Sequence, residues 1–121
     1  MILDHVAVLT RSIEQLCALN HLESDLPVEV FADSGSRERY IDPDSHGGRL
    51  LLMQPHGPGP YQRAMDKRGP GLHHIGVAAA SLPAALKAWT DRGWQVHPDA
   101  PGMFLFPVSY THLTLPTTYT V

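Results

Sequence analysis

The chain is poor in cysteine: one residue, Cys17, in 121. That excludes an intrachain disulfide framework and a cysteine-based metal cluster, and a reducing cytoplasm is the expected setting. Charge is sparse, at 17% of residues, and carries no basic excess: nine Lys and Arg stand against twelve Asp and Glu, a net charge of -3. Neither nucleic acid nor an anionic membrane is therefore an expected partner. No apolar run approaches the roughly 20 residues that cross a bilayer. The N-terminus, Met1-Ile2-Leu3-Asp4-His5, has no basic segment before an apolar stretch, so no signal peptide is read there. What the chain does have is enough apolar residues for a core, 43%, together with 11 Pro and 8 His.

Ile2 to Leu9 alternates as a strand, with Leu3, His5 and Ala7 on one face and Val6 and Val8 near the other. Ser12-Ile13-Glu14-Gln15 reads as a capping box opening a helix whose buried stripe is Ile13, Leu16, Cys17 and Asn20. Cys17 is on this reading a core residue. Three strands follow: Val28–Phe31, Arg37–Ile41 with Glu38 and Tyr40 sharing a face, and Arg49–Gln54, whose unbroken apolar run predicts burial on both faces. His56 to Pro70 reads as a linker carrying a short helix from Tyr61 to Lys67. Leu72–Val77 is a strand, Ser81 caps a second long helix with an apolar stripe of Leu82, Ala85, Leu86 and Trp89, and Trp94–His97 and Met103–Phe106 are the last strands.

The chain repeats itself. Leu3-Asp4-His5-Val6-Ala7-Val8 matches Leu72-His73-His74-Ile75-Gly76-Val77, and the same register carries Ser12 onto Ser81 and Ile13 onto Leu82. A histidine and a helix-capping serine thus recur at one offset, which predicts a duplicated module. Two copies side by side would make one curved sheet over a hollow, with His5 and His74 in equivalent inward positions.

Three segments resemble the vicinal oxygen chelate superfamily, and within it methylmalonyl-CoA epimerase and its glyoxalase-like relatives. They are Leu3-Asp4-His5-Val6, the strand ending Met53-Gln54-Pro55, and Arg68-Gly69-Pro70-Gly71-Leu72-His73-His74-Ile75. The resemblance runs from residue 1 to about residue 107. It implies an α+β fold of paired βαβββ modules: the first at residues 1–55, a linker at 56–70, and a second, incomplete module at 71–107. It also implies a divalent metal ion, with His5 and His74 as ligands and a small-molecule substrate, an acyl thioester or carboxylate. The reaction implied is metal-assisted removal of a proton beside a carbonyl, in an isomerase, epimerase or lyase.

The match departs at the ligand positions. The third-strand ligand of epimerases falls at Leu51, which has no donor atom, and Gln54 can substitute only from a bulge or the strand end. The acidic ligand of the final strand has no counterpart. Glu38 is the candidate general base, its alternative being an exposed carboxylate between Arg37 and Arg39. His5 and His74 have an alternative as half-buried structural histidines. His73 is expected to point away from His74, and Tyr61, Arg63 and Lys67 to form a solvated helix face. Two further functions stay open beside the enzyme: a non-catalytic small-molecule binder resembling the bleomycin-resistance proteins, and a vestigial pocket whose sheet serves dimerisation. Relatives pair modules within or between chains, so a homodimer is also open.

Residues 108–121 carry no charge and no glycine but five threonines. Their run Val108 to Thr117 resembles the translation of a sequencing adapter, so the tail is expected to be foreign to the protein and the second module to lack its closing strand.

Overall fold

The computed structural model describes residues 2–41, 48–96, 104–107 and 118–120. His97, the end of the strand expected from Trp94, lies outside the described residues. The element order is β1 (Ile2–Leu9), α1 (Ile13–Asn20), β2 (Glu29–Phe31), β3 (Ser36–Ile41), β4 (Arg49–Pro55), α2 (Pro60–Arg68), β5 (Gly71–Ala78), α3 (Leu82–Asp91), β6 (Trp94–Val96), β7 (Phe104–Pro107) and β8 (Thr118–Thr120). The strands form one sheet in the order β2-β3-β4-β1-β5-β8-β7-β6.

That order is a duplication. In the first half β1 lies parallel to β4, with β3 and β2 continuing antiparallel outward. In the second half β5 lies parallel to β8, with β7 and β6 outward in the same manner. The halves join where β1 and β5 run antiparallel. Each is a βαβββ module, as the repeat predicted. At the edge of the second module the closing position is taken by β8. It consists of three residues from the tail, against seven in β4.

Both long helices begin where the repeated serines stand. Ser12 Oγ accepts from Gln15 N at 3.1 Å and Ser81 Oγ from Ala84 N at 3.3 Å, each satisfying one of the first turn's open donors. The reciprocal half of the expected capping box differs. Thr10 Oγ1, rather than the Gln15 side chain, accepts from Ser12 N. α1 ends at His21, in the left-handed region with φ 53°. Its buried stripe stops at Cys17, because Asn20 is exposed and donates to the Leu16 carbonyl instead.

Strand alternation sorts the first module's core into two layers. Ile13 and Cys17 of α1 pack with Ile41 and Leu52 on one face of the sheet, edged by Val8, Leu16, Leu22, Val28 and Leu50. Ala7, Leu9, Leu51 and Met53 line the other face and are closed over by Met65 of α2, with Tyr40, Tyr61 and Ala64 beside them. β4 is covered on both sides, which is why Leu50 to Met53 is uninterruptedly apolar. The predicted linker helix is thus part of the core. It enters through a tight approach at Gly35, whose φ is +70° and where a Cβ would stand 2.8 Å from the Pro58 carbonyl oxygen. The face lined by Ala7, Leu9, Leu51 and Met53, away from α1, is called the inner face below.

Candidate functional site

The seam between the modules carries two irregularities related by the repeat. In the β1–β5 ladder Leu3 pairs with Val77 and His5 with Gly76, leaving Asp4 as an extra residue. Likewise Ala7 pairs with His74 and Val8 with Leu72, leaving His73 extra. Asp4 and His73 occupy the same position of the repeat. A bulge re-aims side chains that regular alternation would send to opposite faces. Here each bulge residue turns toward the histidine that follows it. Asp4 Oδ2 lies 2.8 Å from His5 Nδ1, and His73 Nδ1 lies 2.8 Å from His74 Nδ1. The expectation that His73 points away from His74 is therefore overturned, and the bulge is the reason.

With their Nδ1 atoms engaged, the imidazoles meet by their far edges. His5 Nε2 and His74 Nε2 are 3.1 Å apart, with ring planes crossed at 85°. Small neighbours make room for this. His5 lies across Gly76, where a Cβ would fall 2.0 Å from His5 Cε1, and His74 lies beside Ala7. His74 is 4% exposed. Burial, followed by the neighbouring His73 and His5, pushes its pKa down to about 3. Burial, with Arg68 adding, pushes His73 down to about 4. Both rings are neutral at pH 7.

Around the pair stand polar groups from the first module. Arg49 Nη2 donates to the same Asp4 oxygen at 2.8 Å, and its guanidinium lies 4.2 Å from the centroid of the Tyr40 ring. Hydrogen bonds from His5 and Arg49 hold the Asp4 carboxyl below the usual carboxylate range. Tyr40 meets His5 edge-on at 6.2 Å, and Tyr61 of α2 meets His73 at 5.1 Å. Tyr61 is half-buried against that ring and the inner core, so the solvated face expected for it holds only for Arg63 and Lys67. Burial raises both tyrosines' pKa values, with the Glu38 charge adding to each.

Glu38 shares the inner face with Tyr40, paired in register with Met53. Ser36 Oγ donates to its Oε2 at 2.8 Å. Its flanking arginines are engaged elsewhere: Arg37 bonds Glu14 and Gln54, and Arg39 bonds the carbonyls of Leu26 and Ser24. Leu51 is on the inner face, two residues along β4 from Arg49, the residue opposite His5. Gln54 is on the opposite face, where its Oε1 accepts from Ile13 N at 3.0 Å and so ties down the start of α1. It does not reach the histidines, and that candidacy ends. On β8 the residues paired with His74, Ile75 and Gly76 are Thr118, Tyr119 and Thr120, none of them acidic. A separate cleft of about 480 Å³, lined by Arg11, Gln54, Pro55, Gln62, Met65 and Asp66, includes none of His5, His74 and Glu38.

Two nitrogens bound side by side to one ion at about 2.0–2.1 Å stand about 2.9 Å apart at a right angle and about 3.4 Å apart at the tetrahedral angle. The 3.1 Å separation fits that range, and without an ion it also serves a hydrogen bond. Among the described residues no third His, Cys, Asp or Glu joins the pair.

Sequence reasoning missed Asp4, His73, Arg49 and Gly76. The repeat held a signal for two of them, since Asp4 and His73 each precede the repeated histidine.

A sheet of two βαβββ modules, with one imidazole from each meeting at the seam, defines a glyoxalase-type protein. The chain belongs to the Glyoxalase/Bleomycin resistance protein/Dioxygenase superfamily, whose sequence profile matches residues 4–103. Solved structures agree on the fold. A hypothetical protein of Bacillus halodurans C-125 superposes with a TM-score of 0.73 at 20% identity, covering 98% of this chain and 91% of that one. A variant methylmalonyl-CoA epimerase of Streptomyces coelicolor, in complex with 2-nitronate-propionyl-CoA, gives 0.69 at 22% identity, covering 98% and 92%. The methylmalonyl-CoA epimerase of Mycobacterium tuberculosis gives 0.65 at 18% identity, covering 98% and 85%. No curated protein matches the sequence. No helix among the described residues is long and apolar enough to cross a membrane.

Proposed function

We propose that the protein takes a proton from the carbon beside a carbonyl in a small acyl thioester or carboxylate, as an epimerase or isomerase. His5 and His74 are its ligands to a divalent ion, and Glu38 is the proton acceptor. The observation that carries this reading is the meeting of two imidazole Nε2 atoms at 3.1 Å across the module seam. Both nitrogens approach from rings already tethered at Nδ1, the arrangement in which a histidine serves as a metal ligand. A divalent ion bound there supplies Lewis acidity, lowering the cost of negative charge on a carbonyl oxygen as the adjacent carbon loses its proton. Two protein ligands hold an ion weakly and leave its other positions to water or to substrate oxygens.

The remaining work falls to the chain's own groups. Glu38 accepts the proton, with its second oxygen steadied by the Ser36 hydroxyl. Leu51, Met53, Leu9 and Ala7, closed over by Met65, form a dry layer beside these groups, which strengthens the charge interactions at its edge. The epimerase structures among the neighbours support the substrate class, since several are complexes with 2-nitronate-propionyl-CoA or methylmalonyl-CoA.

A test combines calorimetric titration with Zn²⁺ or Co²⁺ and solvent-deuterium exchange into methylmalonyl-CoA. The expected result is one ion per chain, lost in His5→Ala, and exchange that Glu38→Gln abolishes while metal binding survives. Exchange that persists in both variants refutes the assignment. A second reading, a non-catalytic binder of the same fold, is favoured by Leu51, an apolar side chain where a third ligand would stand. Tight binding of an acyl thioester without any exchange would select it.

A further inference from the structure

The β1 bulge places Asp4 where it does two things at once. Its Oδ2 faces His5 Nδ1 at 2.8 Å, and the same oxygen takes a hydrogen bond from Arg49 at 2.8 Å. A carboxylate only accepts, so a hydrogen-bonded neutral His5 carries its proton on Nδ1 and presents a bare Nε2 lone pair. Arg49 in turn is not loose. It lies over the Tyr40 ring, and Tyr40 packs edge-on against His5. Arg49, Asp4, His5 and Tyr40 thus form a closed ring of contacts.

The second module offers a control within the same molecule. The residue at the equivalent bulge is His73, and its Nδ1 faces His74 Nδ1. An imidazole nitrogen can donate or accept, so a single proton between these rings satisfies either tautomer of His74. One pole of the pair is fixed and the other is adaptable.

We infer that Asp4 and Arg49 are positioning residues, Asp4 fixing the tautomer of His5 and Arg49 holding Asp4 in place, so that the His5 Nε2 lone pair points at His74 and at whatever cation the two share. The inference deepens the proposed function, because the cation rests on that reading, but the tautomer does not. Asp4 and Arg49 touch no reacting atom in this role. Second-layer partners of this kind typically contribute 10–100-fold to metal affinity.

The experiment is long-range ¹H–¹⁵N correlation spectroscopy of the histidine rings in the metal-free, ¹⁵N-labelled full chain, followed by Zn²⁺ titration. In the wild type His5 should show a single tautomer protonated at Nδ1. In Asp4→Ala it should become a mixture, with Zn²⁺ affinity down 10–100-fold. Asp4→Asn keeps an accepting oxygen and should restore the tautomer and most of the affinity, which a loss of fold would not do. Arg49→Gln frees the carboxylate without removing it and should cost less than Asp4→Ala, with the tautomer retained. A His5 tautomer unchanged in Asp4→Ala overturns the inference whether or not zinc binds. A wild type that binds no zinc, but whose His5 tautomer follows Asp4, sinks the metal reading and upholds the positioning role.

Discussion

Gly76 gives the sharpest test of the histidine pair. Its φ is not in the positive region, so glycine is not required there by the backbone. It is required by space. A Cβ would stand 2.0 Å from His5 Cε1, 2.3 Å from Nδ1 and 2.6 Å from Nε2. Carbon atoms rest at about 3.5–4.0 Å, so in Gly76→Ala the ring must retreat by about 1.5 Å. Cε1 and Nδ1 stand nearest that Cβ, so the whole ring shifts away from Gly76, against its hydrogen bond to Asp4, and carries Nε2 away from His74. The pair separation of 3.1 Å then opens beyond about 4 Å, the widest that two bonds of about 2.0–2.1 Å span even in a straight line. Chelation by both rings is lost, and divalent-ion affinity should fall at least tenfold, about 1.4 kcal/mol. Stability should fall only modestly, because the group that must move is a side chain rather than backbone, although it strains its hydrogen bond to Asp4. Overpacking of about 1 kcal/mol is partly offset by the entropy gained in replacing glycine within a strand. Calorimetry with Zn²⁺ reads the affinity and a thermal melt reads the fold. His5→Ala must lose binding in the same assay. An intact melt together with wild-type affinity in Gly76→Ala would refute the reasoning outright.

Leu51→Glu should supply the ligand the inner face lacks. Zn²⁺ affinity is expected to rise at least tenfold, while metal-free stability falls because a carboxylate enters a site now 3% exposed; unchanged affinity in a folded variant would show that Leu51 does not border the pair. The pKa values of His74 and His73, lowered to about 3 and about 4, fix a pH dependence. Above pH 6.5 neither state binds these protons. Below it the unfolded chain takes them and the native rings refuse them, so stability falls as pH drops toward 4, by about 2 kcal/mol at pH 5 for His74. Denaturant midpoints that stay flat between pH 7 and pH 5 would count against neutral buried rings. Gln54→Ala should lower stability by about 1–3 kcal/mol, since it strips the acceptor from Ile13 N, yet leave Zn²⁺ binding as it is; weakened zinc binding at constant fold would return Gln54 to the site.

Much of the architecture could be read from residue patterns because each pattern had one physical cause. Ser12 and Ser81 mark helix starts because a hydroxyl satisfies an open backbone donor, a requirement independent of tertiary context. Leu50 to Met53 reads as doubly covered because both neighbours of that strand's faces are helices. Glu38 and Tyr40 read as sharing a face because β3 alternates without interruption. The site was legible only in part, and the reason is local. Asp4 and His73 defeat a parity argument because parity fails at a bulge, and a bulge follows from the pairing of two distant strands rather than from either strand's own residues. The same is true of Gly76, whose meaning depends on a ring from the other module.

The two modules have diverged unequally around a symmetric frame. The repeat places His5 against Gly76 and His74 against Ala7, so both rings lie at equivalent points of the seam. Everything that discriminates between them lies one step out. Module one surrounds its imidazole with a carboxylate, a guanidinium and a phenol, and it adds Glu38 on the same face. Module two sets a second imidazole, His73, beside its own, and Tyr61 of the intervening helix packs on His73. On the proposed reading, the charge that would steady a cation and accept a proton comes from module one, and the buried, neutral His74 faces it across the seam. Among the described residues, the ionised groups in contact with the pair, Asp4 and Arg49, come from module one. That asymmetry suits a reaction in which a proton leaves toward one face, and it predicts that substitutions of Asp4, Arg49 or Glu38 impair exchange more than any at His73.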